Sequence, residues 1–450
     1  MSGITRFRIV LTVNIVTLMC MLGFSAYRDI QLEKQYPSDL RNRVVGARLQ
    51  KDGKDPYFYK WKKDDGFRYI DPANYDSLKV SNITASPAFH DLMIPFCELP
   101  QRTISFNWLC FQYFILALIT LLFFRLTSNN IQKFCIVNLS VLFTCTDAWK
   151  LLIANGQLYF FYAFLIATTV YGLWKSEKKR NFLIAGLSSG LLILLKPTAL
   201  IIIIPFIIQY KLYYRYILTT LACLLTYGLF VMINQNEKKF WASYNMAIGE
   251  QIKVHQGLNP ALQENEQLPT LSSLEGFDFK MVNENYEQHP IFINSENGNV
   301  FVIIRQLLHV KISTHGLLIL FITVTLLLVT GFIYLKSNNA ISLPRTVLFA
   351  FLLYMLAEIF GPVYRHQYNS VQWLPILLTG TLILKKWNEP AAILIALGLL
   401  MNFSKLTFIP MQHTMGEICW VIATLLIIFK KNVQREKNDT KFFLSTPKTI

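Results

Sequence analysis

The stretch Ser38-Asp39-Leu40-Arg41-Asn42-Arg43-Val44-Val45-Gly46-Ala47-Arg48-Leu49 follows shortly after the first long apolar run of the chain. Leu40, Val44 and Ala47 recur at helical spacing with Val45 beside them, so residues 40–50 read as an amphipathic helix near a membrane surface. Asp39 stands at its start. A carboxylate there either caps the helix, accepting from free backbone N–H groups, or points into a cleft as a lone catalytic base. Both readings fit the stretch taken by itself.

The chain around it is apolar on a scale that soluble domains do not reach. Of 450 residues, 53% are hydrophobic and only 16% charged, with a mean hydropathy of +0.37, which predicts an integral membrane protein. A formal charge of +16 raises nucleic acid as a partner. The basic residues sit in short clusters between apolar runs, however, and that placement orients helices in a bilayer. Nucleic acid is therefore not expected. Seven cysteines are an odd number and most lie inside apolar runs, so no disulfide framework is readable. The seven histidines show no metal-ligand spacing, and neither metal nor cofactor is expected.

Window hydropathy divides the chain in order. Residues 1–27 hold a first transmembrane helix, after Arg6 and Arg8 and without a cleavage pattern. A long polar loop, 28–105, carries Asp39 and the aromatics Tyr57, Phe58, Tyr59 and Trp61. A transmembrane core fills 106–234, a second long loop 235–312, further helices 313–430, and a basic tail 431–450. About twelve spans result by hydropathy. The two apolar runs either side of Lys196-Pro197 are short and read as a kinked or partly inserted hairpin, since Pro cannot continue a helix intact. With the N-terminus inside, roughly twenty basic residues fall on the cytoplasmic side against about three in short outer connections. Both long loops then face outward and both termini lie in the cytosol of a multi-pass plasma (inner) membrane protein.

Polar residues next to or within spans then collect at the outer ends: Asp147, Lys150, Asn155, Gln157, Lys196, Glu358, Arg365, His366 and Glu417. One charge inside a span costs roughly 2.5–3.5 kcal/mol on insertion scales, so several together mark a wet cavity, although each alone can snorkel to water. Lys196 lies between two wholly apolar halves, after a Gly186/Gly190 pair that permits close helix approach. It suits an anionic headgroup such as a phosphate. Arg365 and His366 offer further donors to the same anion, or form a positive turn at lipid headgroups.

Three of these stretches together resemble glycosyltransferase family 87. Asp39, Gly46-Ala47, Gly53 and Asp55-Pro56-Tyr57 are similar to its first-loop pattern. Ala154-Asn155-Gly156-Gln157, followed by Ala185-Gly186…Gly190…Lys196-Pro197, resembles its central signature, and Gly361-Pro362…His366-Gln367-Tyr368 a later outer-loop motif. Ser86-Pro87…Ile94-Pro95 is similar to its helix before the second span. Arg43 stands where the family commonly has Tyr, and Tyr159 where it has a polar residue. The resemblance implies an all-α polytopic membrane protein of GT-C type. It implies inverting transfer of a hexose, mannose first, from a polyprenyl-phosphate sugar to a hydroxyl of a glycolipid or glycan. Asp39 would be the general base, with Asn155, Gln157, Lys196, Arg365, His366 and Tyr57 binding substrate. The lipid-linked sugar is then a substrate and no cofactor is required. A phosphate leaves without a general acid, so one carboxylate suffices, unlike the pair that glycoside hydrolysis uses. A transporter or flippase for a lipid-linked sugar is the rival outside enzymes, weakened by the absence of an internal repeat. A polymerase of lipid-linked glycan units is the enzymatic rival.

Overall fold

The computed structural model describes residues 3–35, 37–59, 62–69, 83–174, 179–255, 298–300, 304, 308, 310, 312, 314–337, 341–361, 365–384, 389–403 and 412–430. Trp61, Pro362, Lys385, most of the second loop and the basic tail lie outside them. Among the described residues the protein is helical throughout, with no strand.

The helices are α1 Gly3–Glu33, α2 Ser38–Lys51, α3 Pro87–Met93, α4 Gln101–Phe124, α5 Asn130–Phe143, α6 Asp147–Asn155, α7 Tyr159–Trp174 and α8 Lys179–Leu195. There follow α9 Ile204–Ile208, α10 Tyr210–Ile233, α11 Gln235–His255, α12 Thr314–Ser337, α13 Leu343–Ile359, α14 Trp373–Ile383, α15 Pro390–Met401 and α16 Gln412–Phe429. A membrane crossing by helix needs about 20 apolar residues. Among the described residues five helices meet that length and composition, within α1, α4, α10, α12 and α16, or six if α5 and α6 form one span bent by 54°. The hydropathy windows that suggest about twelve crossings register apolar runs, not helix continuity. The runs at Tyr159–Trp174, Asn181–Leu195, Pro197–Ile208 and Pro390–Met401 are apolar but shorter than a span.

The bilayer accounts for the exposed apolar surface. Along α10, Leu218, Leu221, Leu225, Leu229 and Met232 are exposed at helical spacing, as are Ile319, Ile322 and Leu326 on α12. Such stripes are stable against lipid tails and costly against water. By contrast α13 is buried along nearly its whole length, Arg345 included. It packs on the 3₁₀ turn Pro197–Ile203, on α7, α9, α14 and α16, and so forms the axis of the helical core.

The Lys196-Pro197 break behaves as the sequence predicts. The α-helix α8 ends at Leu195, Lys196 takes an extended conformation (φ −142°, ψ 87°), and the chain resumes as 3₁₀ from Pro197. Upstream, a Cβ on Gly186 would stand 2.5 Å from Thr219 Cβ, and one on Gly190 2.7 Å from Cys223 Sγ. The Gly pair thus lets α8 and α10 pack backbone to backbone, the close approach expected of small residues four apart.

α2 departs from expectation. It does not lie on a surface with one face wet: Leu40, Asn42, Arg43, Val44, Val45, Ala47, Leu49 and Gln50 are all buried. α3 packs on one side of it and α6 on another. A periodicity argument sees three apolar positions and assigns one buried face. It cannot see that Arg43 and Gln50 find buried polar partners that let the other faces close.

Candidate functional site

The site is built from the turn between α6 and α7. α6 is capped by Thr146, whose hydroxyl accepts from the Trp149 amide, and ends at Gly156 in the left-handed conformation (φ +64°). Glycine is required there twice over. A side chain would strain the backbone, and its Cβ would lie 2.5 Å from Leu40 Cβ and 2.8 Å from Pro37 Cβ. The start of α2 is therefore seated directly on this turn.

That contact delivers Gln157 to the first turn of α2. Its side-chain Nε2 donates to Asp39 Oδ2, while its Oε1 accepts from Arg43 Nη2 at 2.5 Å. Arg43 Nη1 also donates to the Gly156 carbonyl at 3.5 Å. Asp39 and Arg43 are four residues apart, on one face of the helix, and the glutamine amide spans them. Asp39 does not cap α2: the residue ahead of the helix is Pro37, and no side chain bonds there. Burial raises the Asp39 carboxyl above its ordinary value and the Arg43 charge works in the opposite direction. A carboxylate half-withdrawn from water and oriented by an amide is suited to accept a proton.

The same α2 is fixed from behind. A Cβ on Gly46 would meet His90 Nε2 at 2.5 Å, and the His90 ring lies tilted against Tyr57 at 5.9 Å and bonds through Nδ1 to Gln50 Oε1 at 3.1 Å. Burial pushes His90 down to about 3, so the ring is neutral near pH 7.

Just beyond Gln157 in sequence a second set of contacts crosses the helical core. Two residues on, the Tyr159 ring packs at a tilt against Tyr368 (5.4 Å) and lies under Lys196 Nζ at 5.1 Å. Lys196 Nζ pairs with Glu358 Oε2 at 2.9 Å, and Glu358 Oε1 accepts from Thr198 Oγ1 at 2.8 Å. His366 is exposed and stacks on Tyr368 at 4.7 Å. The α6–α7 turn thus carries Gln157 to the Asp39 carboxylate and, two residues on, Tyr159 to the Lys196 ammonium.

Of the residues expected to bind substrate, Gln157, Lys196 and His366 lie along this path. Asn155 stands beside it, its Nδ2 turned back to the Leu151 carbonyl at 2.9 Å. Two expectations need correction. Tyr57 does not reach a sugar: it is fully buried, with its hydroxyl on the Ala85 carbonyl at 2.8 Å and its ring against Tyr244. Arg365 does not offer its guanidinium to an anion. It is buried and bound two-to-two by Glu417, at 2.6 and 2.7 Å. Glu417 also accepts from Ser370 and from Trp373 Nε1 (2.9 Å), so this ion pair anchors the turn that carries His366 and Tyr368. Its acid was already among the outer polar residues, but no spacing pairs positions 365 and 417.

Sequence reasoning passed over Arg43 and Tyr159 as departures from a pattern, and it missed Asp29. That carboxylate is fully buried in α1 and takes bonds from Arg28 (2.8 and 2.9 Å), Tyr113 (2.7 Å) and Trp149 (2.6 Å). It fastens α1 to α4 and α6. Arg28-Asp29 at the end of an apolar run was the only signal, and a helix end explains such a pair equally well. Among the described residues no cluster of His, Cys, Asp and Glu is arranged to hold a metal.

Comparison with known proteins adds one assignment. Residues 85–272 match the family model described as Glycosyltransferase family 87. The matched segment contains the α6–α7 turn and Lys196, and it ends before Glu358; Asp39 precedes it. Among solved structures, the crystal structure of the Archaeoglobus fulgidus oligosaccharyltransferase in the apo form aligns over 96% of this chain at 12% identity and a TM-score of 0.40. The chain spans 58% of the length of that structure. No curated protein matches the chain.

Proposed function

We propose that this multi-pass membrane protein, with its glycosyltransferase family 87 segment, transfers a hexose from a polyprenyl-phosphate sugar to a hydroxyl of a glycolipid or glycan, with inversion. Mannose is the first donor sugar to test. The observation that carries the reading is the Asp39–Gln157–Arg43 linkage, because it couples the one candidate base to a turn inside the family-matched segment.

In this reading the acceptor hydroxyl approaches Asp39 within about 2.6–3.2 Å. Its proton passes to the carboxylate as its oxygen bonds to the anomeric carbon. The bond from that carbon to the phosphate oxygen breaks, and polyprenyl phosphate leaves with the electron pair. Lys196 stabilises the charge gathering on that phosphate. Its ammonium has three donors and Glu358 takes one, so a phosphate can join without expelling the glutamate. His366 stands on the exposed side as a second donor, and Arg365 serves by holding the turn. Gln157 fixes the direction of the Asp39 lone pairs, and the Arg43 charge favours the ionised form, in part offsetting the burial that raises the carboxyl. The GT-C type of fold and an extracytoplasmic site belong to the same reading.

The test is incubation of purified protein with a panel of radiolabelled polyprenyl-phosphate sugars and a glycolipid acceptor mixture. Label should move to the acceptor from a monophosphate donor. Transfer only of whole glycan units from a pyrophosphate donor would replace the reading with that of a polymerase. Movement of the donor across the bilayer without transfer would replace it with that of a carrier.

A further inference from the structure

Beside the start of α2 is a small pocket lined by Glu33, Pro37, Ser105, Trp108, Leu109 and Ile153. Glu33 is the last residue of α1 and only 6% exposed. Its Oε1 is buried and has no hydrogen-bond partner among the described residues, and the same holds for Trp108 Nε1. Native proteins seldom leave such groups unpaired, and when they do an unseen partner is the first explanation. Here the two unpaired atoms are complementary. One is an acceptor, the other a donor, and their residues line the same space.

We propose that this pocket binds one hydroxyl of the neutral sugar acceptor. A hydroxyl serves both atoms at once: its O–H donates to Glu33 Oε1, and its oxygen accepts from the Trp108 indole N–H. A phosphate is repelled by the carboxylate, and an ammonium has no acceptor to offer the indole. The charged end of the donor is thereby excluded, a neutral sugar hydroxyl remains, and placement decides for the acceptor. Placement agrees with that choice. Pro37, in the pocket wall, is the residue immediately ahead of α2 and stands two before Asp39; Ile153, also in the wall, lies on α6 close to the Gly156-Gln157 turn. Glu33 is a specificity residue in this account and Asp39 the base. The inference rests on the transferase reading for the identity of the ligand as an acceptor sugar, and on the pocket alone for its chemistry.

Binding separates the two. The protein in lipid nanodiscs is titrated with methyl α-D-mannopyranoside, methyl α-D-glucopyranoside and methyl α-D-galactopyranoside, followed by saturation-transfer NMR, with sorbitol as an open-chain control. The parent should bind at least one of the pyranosides. Glu33→Met, which keeps the side-chain length, and Trp108→Phe, which keeps a ring, should each weaken that binding about tenfold or more, the worth of roughly one good hydrogen bond to a charged group. Glu33→Gln retains a carbonyl acceptor and should fall between. Thermal unfolding of each variant confirms that it is folded. Unchanged binding in folded Glu33→Met and Trp108→Phe, or no pyranoside binding by the parent, overturns the inference and leaves a pocket for water. If Asp39→Asn still transfers sugar while the Glu33 variants lose binding, the base assignment fails and the hydroxyl site stands.

Discussion

The side-chain amide of Gln157 donates to the carboxylate of Asp39 across 118 positions of sequence. The contact exists because Gly156 adopts a left-handed turn against Leu40 and Pro37. Gln157 also accepts from Arg43, so replacing it removes two contacts together. Gln157→Leu should lower sugar transfer about 10- to 100-fold with little change in donor affinity, since misplacement of a catalytic group by about 1 Å costs on that order. Gln157→Glu should be at least as damaging: a second carboxylate beside Asp39 holds the proton more tightly and raises the pH at which activity appears. A pH–rate profile of the two variants reads the difference.

Gly156→Ala tests the turn itself. The new methyl must fit where Leu40 and Pro37 already stand, in a backbone conformation that costs a side chain about 1 kcal/mol or more. Melting temperature and transfer should fall together. A stable, fully active Gly156→Ala would mean that α2 is not held by this turn.

Lys196 and Glu358 make the second prediction about chemistry. Lys196→Met should raise the donor KM and lower kcat, because the departing phosphate loses its counter-charge, and Lys196→Arg should restore only part of it. Glu358→Gln leaves the lysine without its ion partner but with a hydrogen-bond acceptor. It should tighten donor binding and make it more sensitive to salt. Donor KM measured over a series of salt concentrations checks both.

Glu237 predicts a pH dependence of stability. It lies on α11, 5% exposed, with Gln50 Nε2 at 3.4 Å and Asp91 close by. Burial first, then the Asp91 charge, pushes its carboxyl up to about 7 from an ordinary 4.5. The folded protein therefore holds this proton more tightly than the unfolded chain does. The resulting stability is fully present below about pH 4.5 and is lost as pH rises through about 7. The parent should melt at a lower temperature at pH 8 than at pH 5, and Glu237→Gln should flatten that slope, leaving what Asp91 contributes.

How far the sequence revealed this molecule depends on the range of the contacts involved. Local rules found α2, the break at Lys196-Pro197 and the Gly186/Gly190 approach, since each is decided by neighbours along the chain or one turn away. The membrane class followed from apolar run lengths. Pairings between distant segments did not follow. Nothing about positions 365 and 417 says that they meet, so an arginine well placed to bind an anion was in fact already bound. Tyr57 was expected to bind substrate because its burial depends on Ala85 and Tyr244, which come from elsewhere. Asp39 invited a cap because the residue ahead of a helix and the one two places inside it are hard to tell apart before Pro37 is seen to precede the helix.

Orientation is predicted from the basic turns. In a background without other reactive cysteines, Asp64→Cys and Lys239→Cys should react with a membrane-impermeant maleimide added to intact cells. Ser128→Cys and Lys211→Cys should react only after permeabilisation; all four positions are exposed. Labelling of position 128 or 211 from outside would reverse the membrane sidedness and place the site in the cytosol.

The central claim is that Asp39 takes the acceptor proton, and Asp39→Asn tests it with least disturbance. Asparagine keeps the size of the side chain and an oxygen for Gln157, and loses a helix-dipole interaction of only about 0.3–1 kcal/mol. The measurement is the rate of sugar transfer at saturating polyprenyl-phosphate sugar for parent and variant, across pH, with melting temperature recorded for each. Transfer by the parent should rise with pH through a carboxyl value above the ordinary 3.8, and Asp39→Asn should be slower by about 10²–10⁴-fold, with that rise gone and the fold intact. Transfer by folded Asp39→Asn at near the parent rate would contradict the account.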